Sequence, residues 1–550
     1  MKKNLTVWNL FSVVILAAFA LFIMYPIFLI LYRSVIHGDT GALTLQNFAH
    51  FFAKKFYWGT MVNSLKVTVV STILSAALGL PLAYLMRSVK IKGSSFLNIL
   101  IVISYLSPPF IGAYAWIQML GRQGVITQFL NDTFGLHYGG VYGFAGIVLV
   151  FTLQSFPLVY IYVSGALKNL DNSLNEAAES LGCSRMGRIW KIIVPLVMPT
   201  LLASSMLVFM RVFADFGTPM LIGEGYKTLP VLIYNQFMGE VSGDDGLAAA
   251  ICSIVIGLTI VMFFVQRFLA GRNTYAMTAL KPMAAESLSG LRNILAHLAV
   301  YMVVGLAILP QFVVVYTSFL ATNGGQVFTG GFALQSYDAT LFAKDNDVIW
   351  HTYFLGLCAI AAVLVLGVLI AYLSVRKRNT LNSILDVITM FPFIIPGSVL
   401  GIAFVFAFNK SPIILTGTAL IMIISFAVRR MPYTVRSSTA ILGNISPSIE
   451  EAAISLGASD MTTFRKITVP MMMPGVLSGA IMSWVTIISE LSSSIILYTN
   501  STQTLTVSIY TEVIRGNYGN ASAYATILTV TSILSLLLFY KVTGRRDVSV

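Results

Sequence analysis

The sequence predicts an all-α polytopic membrane protein with about twelve transmembrane helices. Of its 550 residues, 57% are hydrophobic and 10% are charged, whereas an ordinary soluble domain carries roughly 25% charged residues. Long apolar segments recur along the chain, and one segment of the first half recurs 275 residues later. The composition excludes a soluble enzyme, a secreted disulfide scaffold and a disordered protein.

Twelve apolar segments are predicted to span the membrane, because about 20 apolar residues are enough for one transmembrane helix. They lie near residues 8–32, 61–86, 97–120, 141–167, 195–216, 247–269, 294–320, 352–375, 383–408, 413–440, 470–489 and 523–542. The first is longer than the apolar core of a signal peptide and has no clear small-residue cleavage site. We therefore expect it to be an uncleaved helix.

The basic residues predict the orientation of these spans. A net charge of +13 is also compatible with a nucleic-acid partner. With both termini in the cytoplasm, however, 21 of the 34 lysines and arginines fall in cytoplasmic segments, as expected for a membrane protein. We predict cytoplasmic N and C termini and no nucleic-acid partner.

An internal repeat divides the chain into halves. Residues 176–199, EAAESLGCSRMGRIWKIIVPLVMP, and residues 451–474, EAAISLGASDMTTFRKITVPMMMP, are identical at 14 of 24 positions. This predicts two homologous repeats, 1–275 and 276–550, joined by a linker near 271–292. Each repeat has six spans, an even number, so both have the same orientation and both repeated loops face the cytoplasm.

The repeated segment has a simple physical interpretation. Glu-Ala-Ala-x-x-Leu favours a short helix whose small residues let a partner approach closely. Gly182 and Gly457 suit a turn, because glycine tolerates a positive φ. A second amphipathic helix is expected next, and Pro195 and Pro470 suit the first turn of the following span.

These paired loops resemble the EAA loops of binding-protein-dependent ABC importer permeases of the type I fold. The fused layout is similar to that of the ferric-iron uptake permeases, and 2-aminoethylphosphonate and thiamine permeases share it. The resemblance implies that each loop forms a coupling helix in a cleft of a cytoplasmic ATPase. The residues that match the pattern are Glu176, Ala177, Ala178, Gly182, Glu451, Ala452, Ala453 and Gly457.

The resemblance also implies partners and a location. We expect a non-catalytic permease of the bacterial inner membrane, two copies of a cytoplasmic ABC ATPase, an extracytoplasmic substrate-binding protein and surrounding lipid. No G-x-x-x-x-G-K-[ST] segment is present, so ATP and Mg²⁺ are expected on the ATPase and no cofactor on this chain. Ferric iron is the expected substrate, with 2-aminoethylphosphonate or thiamine as alternatives. An ion-coupled secondary transporter is the alternative from another class.

Two acidic residues are candidates for the translocation path, because ionisable groups within spans are costly. Asp215 and Glu490 are related by the repeat offset of 275. Two carboxylates that face each other across a central path would suit a cation, ferric ion included. The alternative is that each is a helix-end carboxylate that simply faces the outer solvent or caps the following loop. Arg211, one turn before Asp215, is expected to pair with it.

Three arginines occur only in the second repeat. Arg429, Arg430 and Arg436 correspond to Gln154, Ser155 and Ile161 of the first repeat. Three guanidinium groups would repel a bare cation, but they could bind a carboxylate or phosphonate, or pair with Glu490. Alternatively they lie at the cytoplasmic boundary and follow the positive-inside rule. The sequence leaves open whether any residue binds a metal.

Overall fold

The computed structural model describes residues 7–37, 40–239, 245–271, 285–323, 327–342 and 347–543. Most of these residues are helical. Lys2, Lys3, Arg545, Arg546 and residues 272–284 of the predicted linker, which contribute to the predicted orientation and repeat boundary, lie outside the described residues.

The first repeat is built from helices. They are α1 (Val7–Phe19), α2 (Tyr25–Ser34), α3 (Gln46–Ala53), α4 (Lys55–Ser88), α5 (Ser94–Leu106), α6 (Pro109–Leu120), α7 (Val125–Phe134), α8 (Gly143–Lys168), α9 (Ser173–Ser180), α10 (Arg185–Arg188), α11 (Val194–Phe213), α12 (Gly217–Ile222), α13 (Leu229–Met238) and α14 (Asp245–Gly271). One π-helical turn, Ala20–Met24, joins α1 to α2, and another, Ile189–Ile193, joins α10 to α11.

The second repeat adds two short hairpins. Its helices are α15 (Gly290–Ser318), α16 (Gln335–Leu341), α17 (Val348–Arg376), α18 (Thr380–Ile388), α19 (Phe391–Ile394), α20 (Gly397–Phe408), α21 (Ala419–Asn444), α22 (Ser448–Ser455), α23 (Asp460–Thr463), α24 (Val469–Ile488), α25 (Ser494–Leu497), α26 (Leu505–Arg515) and α27 (Tyr518–Thr543). The strands are β1 (Leu320–Asn323) with β2 (Val327–Phe332), and β3 (Asn409–Lys410) with β4 (Ile413–Ile414). A π-helical turn, Phe464–Thr468, joins α23 to α24, as in the first repeat.

The helices match most of the predicted spans, but the predicted spans near 97–120 and 383–408 are bent helix pairs rather than single helices. In the described part of the chain, nine helices are long and apolar enough to cross a bilayer, and each of two bent helix pairs passes the same test when its arms are taken together. The remaining predicted span, 413–440, corresponds to α21, a helix of 26 residues whose three arginines make it more polar than the others. The two bent pairs turn by 99° after α5 and by 111° before α20.

The described chain forms two compact units that differ from the sequence repeats. Unit A contains Met1–Lys54, Ile233–Ile256 and Ala321–Arg546, and unit B contains Lys55–Leu232 and Gly257–Leu320. In unit A, α1 and α2 pack against α17, α18 and α20, whereas in unit B, α15 packs against α5 and α6. The first helix of each repeat thus joins the core of the other repeat.

Each unit has a three-helix centre with small residues at the contacts. In unit B, α4, α8 and α11 pack together, and in unit A the equivalent α17, α21 and α24 do so. A Cβ on Gly79 would lie 2.8 Å from Val159, and one on Gly367 would lie 2.9 Å from Thr434. Glycine is required at both places because transmembrane helices associate through close backbone approach.

Candidate functional site

Each EAA loop begins with an eight-residue helix, α9 in unit B and α22 in unit A. Glu176 and Glu451 lie in the first turn of these helices, where the helix dipole favours negative charge. Both carboxylates are exposed, as are Ala177 and Ala452. The second alanine of each motif is less exposed: Ala178 is half-buried and Ala453 is buried. The predicted short helices are confirmed, and the glutamate and first alanine of each are exposed on the protein surface.

Gly182 and Gly457 end the two helices in the same way. Their φ angles are +78° and +92°, in the left-handed region that glycine adopts without steric cost. The Gly182 N–H donates to the Glu179 carbonyl at 2.9 Å, and the Cys183 N–H donates to the Ala178 carbonyl at 2.9 Å. The second loop repeats both bonds, at 2.9 and 3.1 Å. This is the Schellman motif, and it confirms the predicted turns.

An apolar side chain projects from each turn. Leu181 is 88% exposed and Leu456 is 89% exposed. Leu174 and Ile449, at equivalent positions near the start of the two helices, are also exposed. Exposed apolar residues that recur at equivalent positions are typical of a surface that another protein covers. The predicted role of these loops in binding an ATPase stays a prediction.

The second loop is attached to α17 by two ion pairs. Arg376, the last residue of α17, donates from Nε to Glu450 Oε1 at 2.9 Å and from Nη2 to the Ile445 carbonyl at 2.7 Å. The Arg376 and Glu450 side chains are only 10% and 11% exposed. Lys377 Nζ lies 2.9 Å from Asp460 Oδ2. The helix α22 is therefore attached to a transmembrane helix of unit A through a buried pair of charges.

The first loop is attached differently. The repeat places Asn175 where the second loop has Glu450. Arg185 of the first loop lies 3.7 Å from Glu286, and the Glu286 backbone makes two hydrogen bonds of 2.9 Å with the chain at the end of α4. The described end of the linker thus contacts the first loop. Neither attachment was predictable from the sequence, because the partners are far apart along the chain.

Glu490 forms a buried ion cluster with two of the arginines in unit A. Arg429 Nη1 and Arg430 Nη2 each donate to one oxygen of the Glu490 carboxylate, and the Ser493 N–H donates to Oε1 at 3.2 Å. The pairing of these arginines with Glu490 is thereby confirmed. Two guanidinium groups and one carboxylate leave one net positive charge.

The position of these arginines in α21 argues against a boundary location. Arg430 lies 14 residues before Asn444, or about 21 Å from the end of α21 that leads into the second EAA loop. This places Arg430 near the middle of α21 rather than at either end of the helix. The position within α21 therefore favours pairing with Glu490 over the positive-inside explanation for Arg429 and Arg430.

The equivalent side chains Gln154, in unit B, and Arg429, in unit A, each contact a glycine in the first turn after a helix break. A Cβ on Gly112 would lie 1.8 Å from Gln154 Nε2, and a Cβ on Gly397 would lie 1.9 Å from Arg429 Nη1. Gln154 Nε2 also donates to the Pro109 carbonyl at 2.9 Å. Both glycines lie just beyond the break of a bent helix pair. Discontinuous transmembrane helices form substrate sites in many transporters, so these two contacts extend the set of path candidates. The prolines at the two breaks were the available sequence signal.

Asp215 and Arg211, the path candidates of the first repeat, each contact a residue of unit B. Asp215 Oδ1 accepts a hydrogen bond of 2.9 Å from the Thr218 N–H and so caps the start of α12. The Arg211 guanidinium lies over the Tyr105 ring, 4.7 Å from its centroid. The pairing of Arg211 with Asp215 stays a prediction. Asp215 and Glu490 belong to different units, and their approach across a central path also stays a prediction.

Arg436 is separate from the buried cluster. It is exposed and lies 3.3 Å from Asp386. Among the residues that the structure describes, no group of three or more histidine, cysteine or acidic side chains could hold a metal ion. The path candidates that the structure pairs in unit A are the guanidinium groups of Arg429 and Arg430 with the carboxylate of Glu490.

One protein-family model matches both halves of the chain, which supports the duplication. The model, described as the inner membrane component of binding-protein-dependent transport systems, matches residues 75–275 and 363–546. The two matches cover more than half of the chain, and each includes one EAA loop.

Similar proteins extend the match to almost the whole length. The chain is 30% identical over 546 residues to the ferric transport system permease protein FbpB of Actinobacillus pleuropneumoniae, over 97% of this chain and 78% of that protein. It is 30% identical over 505 residues to the putative ferric transport system permease protein FbpB 1 of Haemophilus influenzae, over 90% of this chain and 78% of that protein. It is 26% identical over 269 residues to the putative 2-aminoethylphosphonate transport system permease protein PhnU of Salmonella choleraesuis, over 48% of this chain and 92% of that protein.

Proposed function

Because this chain belongs to the family of binding-protein-dependent transport system inner membrane components, we propose that it carries ferric iron across the bacterial inner membrane. It is the permease subunit of an ATP-driven importer. The observation that carries the proposal is the pair of equivalent EAA loops, one in each unit, in a chain that aligns over almost its full length with ferric transport permeases.

Each EAA loop binds one copy of a cytoplasmic ATPase, with ATP and Mg²⁺ on that partner. The exposed glutamate, the first alanine and the leucine of each turn supply the contact surface, and the Schellman turn holds it in shape. Because the second loop is joined to α17 through Arg376 and Glu450, movement of the ATPase is transmitted to a transmembrane helix. ATP binding closes the ATPase pair, and the permease then exposes its path alternately to each side of the membrane.

The proposed contact of both EAA loops with a cytoplasmic ATPase also sets the orientation of the chain in the membrane. Both termini and both EAA loops are cytoplasmic, and an extracytoplasmic binding protein delivers the substrate to the opposite side. The ATP-driven mechanism replaces the ion-coupled secondary transporter that the sequence left as an alternative, because paired EAA loops have no role in that class.

The Arg429–Arg430–Glu490 cluster supports a second candidate substrate. Its net positive charge disfavours a bare trivalent cation, whereas guanidinium groups bind phosphonate and carboxylate anions well. The chain is also similar to a putative 2-aminoethylphosphonate transport system permease protein. The second candidate is therefore the same machinery with an organophosphonate as its substrate.

The docking claim is tested by co-purification with the ATPase co-expressed from the same organism. We expect Leu181→Asp with Leu456→Asp to weaken ATPase binding at least about tenfold, because each buried leucine contributes about 1.5–3 kcal/mol to an interface. Leu136→Asp is the matched control, since Leu136 is also strongly exposed but lies outside both loops. Unchanged ATPase recovery with the double variant would refute the docking surface.

The substrate is tested by uptake into proteoliposomes that contain the permease, its ATPase and its binding protein. ATP-dependent accumulation of radioactive Fe³⁺, without accumulation of 2-aminoethylphosphonate, is expected. Accumulation of the phosphonate alone would overturn the iron assignment and leave the importer mechanism intact.

A further inference from the structure

A cavity of about 390 Å³ opens in unit A between α2, the end of α20 and the β3–β4 hairpin. Its lining combines two cations, Arg33 and Lys410, with the apolar side chains of Leu29, Phe406 and Ile413. A volume of this size is within the range of small-molecule sites. Neither the EAA loops nor the Glu490 cluster uses this cavity.

The cavity lies on the side of unit A opposite the second EAA loop. The helix from Val7 to Ser34 has 28 residues and is about 42 Å long. At its start, the Trp8 ring lies 5.3 Å from the Phe464 ring, which belongs to the second EAA loop. Arg33 is in the last turn of the same helix. The guanidinium group is therefore close to the membrane surface that faces away from the ATPase.

Aromatic residues mark the level of the membrane surface beside this cavity. Phe28 and Tyr32 are exposed, and their rings stack with centroids 6.1 Å apart. Exposed aromatic side chains at the end of a span are typical of the boundary between lipid and water. Arg33 is thus at the depth of the lipid headgroups.

The shape of the cavity follows one face of the helix into the bilayer. Leu21, Tyr25, Leu29 and Arg33 line it at intervals of four residues, which covers about 18 Å along the helix. The charged end lies at the surface and the apolar end lies deeper. A small soluble anion needs no such apolar extension, whereas an acyl chain fits it.

The charges of the cavity match one phosphodiester group. The Arg33 guanidinium is held over the Phe406 ring, 4.2 Å from its centroid, and pairs with Asp245 at 3.1 Å. Together with Lys410, this set leaves one net positive charge. A phosphodiester carries one negative charge and accepts charge-assisted hydrogen bonds from both cations.

We propose that this cavity binds an anionic phospholipid of the leaflet opposite the EAA loops, with its phosphodiester between Arg33 and Lys410 and one acyl chain along Leu29 and Leu21. The proposal does not depend on which substrate the permease carries. Such a lipid joins the first helix of the chain to the bent pair that ends in α20, and so stabilises unit A where the first repeat contributes to it.

The test is thermal unfolding of the purified full chain in detergent with added dioleoyl phosphatidylglycerol, dioleoyl phosphatidylcholine or inorganic phosphate. Phosphatidylglycerol is expected to raise the Tm of the wild type by several degrees, and the other two are expected to have little effect. In the Arg33→Gln, Lys410→Gln variant, the phosphatidylglycerol concentration for half of this shift should rise at least about tenfold. Arg515→Gln, an exposed arginine of unit A outside the cavity, should behave as the wild type.

Three results would overturn the proposal. The double variant could respond to phosphatidylglycerol like the wild type, phosphatidylcholine could stabilise as well, or inorganic phosphate could protect equally, which would indicate a soluble anion site. If the double variant does not fold, Lys410→Gln alone provides the test, because Lys410 is exposed on a short hairpin. It should require about threefold more phosphatidylglycerol, and an unchanged requirement would refute the proposal.

Discussion

The buried pair between Arg376 and Glu450 permits a sharp prediction about the second EAA loop. Glu450→Gln keeps the size of the side chain and removes its charge. The Arg376 guanidinium is then left about nine-tenths buried without a counter-ion. Breaking a buried pair in this way costs about 3–5 kcal/mol. We expect a loss of about 3 kcal/mol, at the lower end, because Arg376 keeps its 2.7 Å bond to the Ile445 carbonyl.

The assay is the free energy of unfolding in detergent for the two single variants, Glu450→Gln and Arg376→Gln, and for the double variant. The double variant should lose less than the sum of the two single losses, because neither charge is then left unpaired. Glu179→Gln in the first loop is the matched control. Its pair with Arg188 involves a carboxylate that is 66% exposed, so we expect a loss of at most about 1 kcal/mol.

A loss of free energy for Glu450→Gln no larger than that of the Glu179→Gln control would contradict this prediction, and so would simply additive losses of the two single variants. Under the proposed function, Glu450→Gln should also bind the ATPase normally, because Leu456 is unaffected, and yet transport less substrate for each ATP hydrolysed. Equal losses in ATPase binding and in transport would indicate that the pair is part of the docking surface instead.

Three further predictions concern the turns, the ion cluster and the close packing at Gly397. Gly457→Ala should destabilise the second loop by about 1–2 kcal/mol, because a φ of +92° is costly for any residue with a Cβ. The measurement is the rate of proteolysis at this turn, which should increase, and a wild-type rate would contradict the prediction. Glu490→Gln should cost about 3–5 kcal/mol in thermal unfolding, since two guanidinium groups lose their counter-ion. Asp215→Asn should cost about 1 kcal/mol or less, because it changes only a helix cap. Equal losses would show that burial of the ion cluster is not the cause. Gly397→Ala should lower the Tm or prevent folding, because its Cβ would lie 2.6 Å from Ser492 Cβ and 1.9 Å from the ion-paired Arg429 guanidinium. Gly443→Ala, with nothing within 4 Å, should leave the Tm unchanged or raise it, and a tolerated Gly397→Ala would contradict the close packing at this glycine.

Local features of the two EAA loops were predictable from the sequence. The helices α9 and α22 and the positive φ of Gly182 and Gly457 depend on residues within a few positions of one another. The repeat was visible because two segments 275 residues apart share 14 of 24 residues. The spans were predictable for a similar reason, because a run of about 20 apolar residues must satisfy its own backbone hydrogen bonds when it crosses lipid. The helix α21 forms where a span was predicted although it contains three arginines.

Long-range partners required the tertiary structure. The sequence showed that Glu490 and three arginines exist, but only packing decided that Arg429 and Arg430 reach the carboxylate and that Arg436 turns to Asp386. The same holds for Arg376 with Glu450, which are 74 residues apart, and for the placement of each repeat's first helix in the other unit. Sequence patterns record periodicity along one helix, whereas ion pairs and helix exchange depend on which faces meet once many spans are packed together. The spans, the duplication and the two turns follow from the order of residues along the chain. Which charges are paired and which helices form each unit follows from the packing of helices that are distant along the chain.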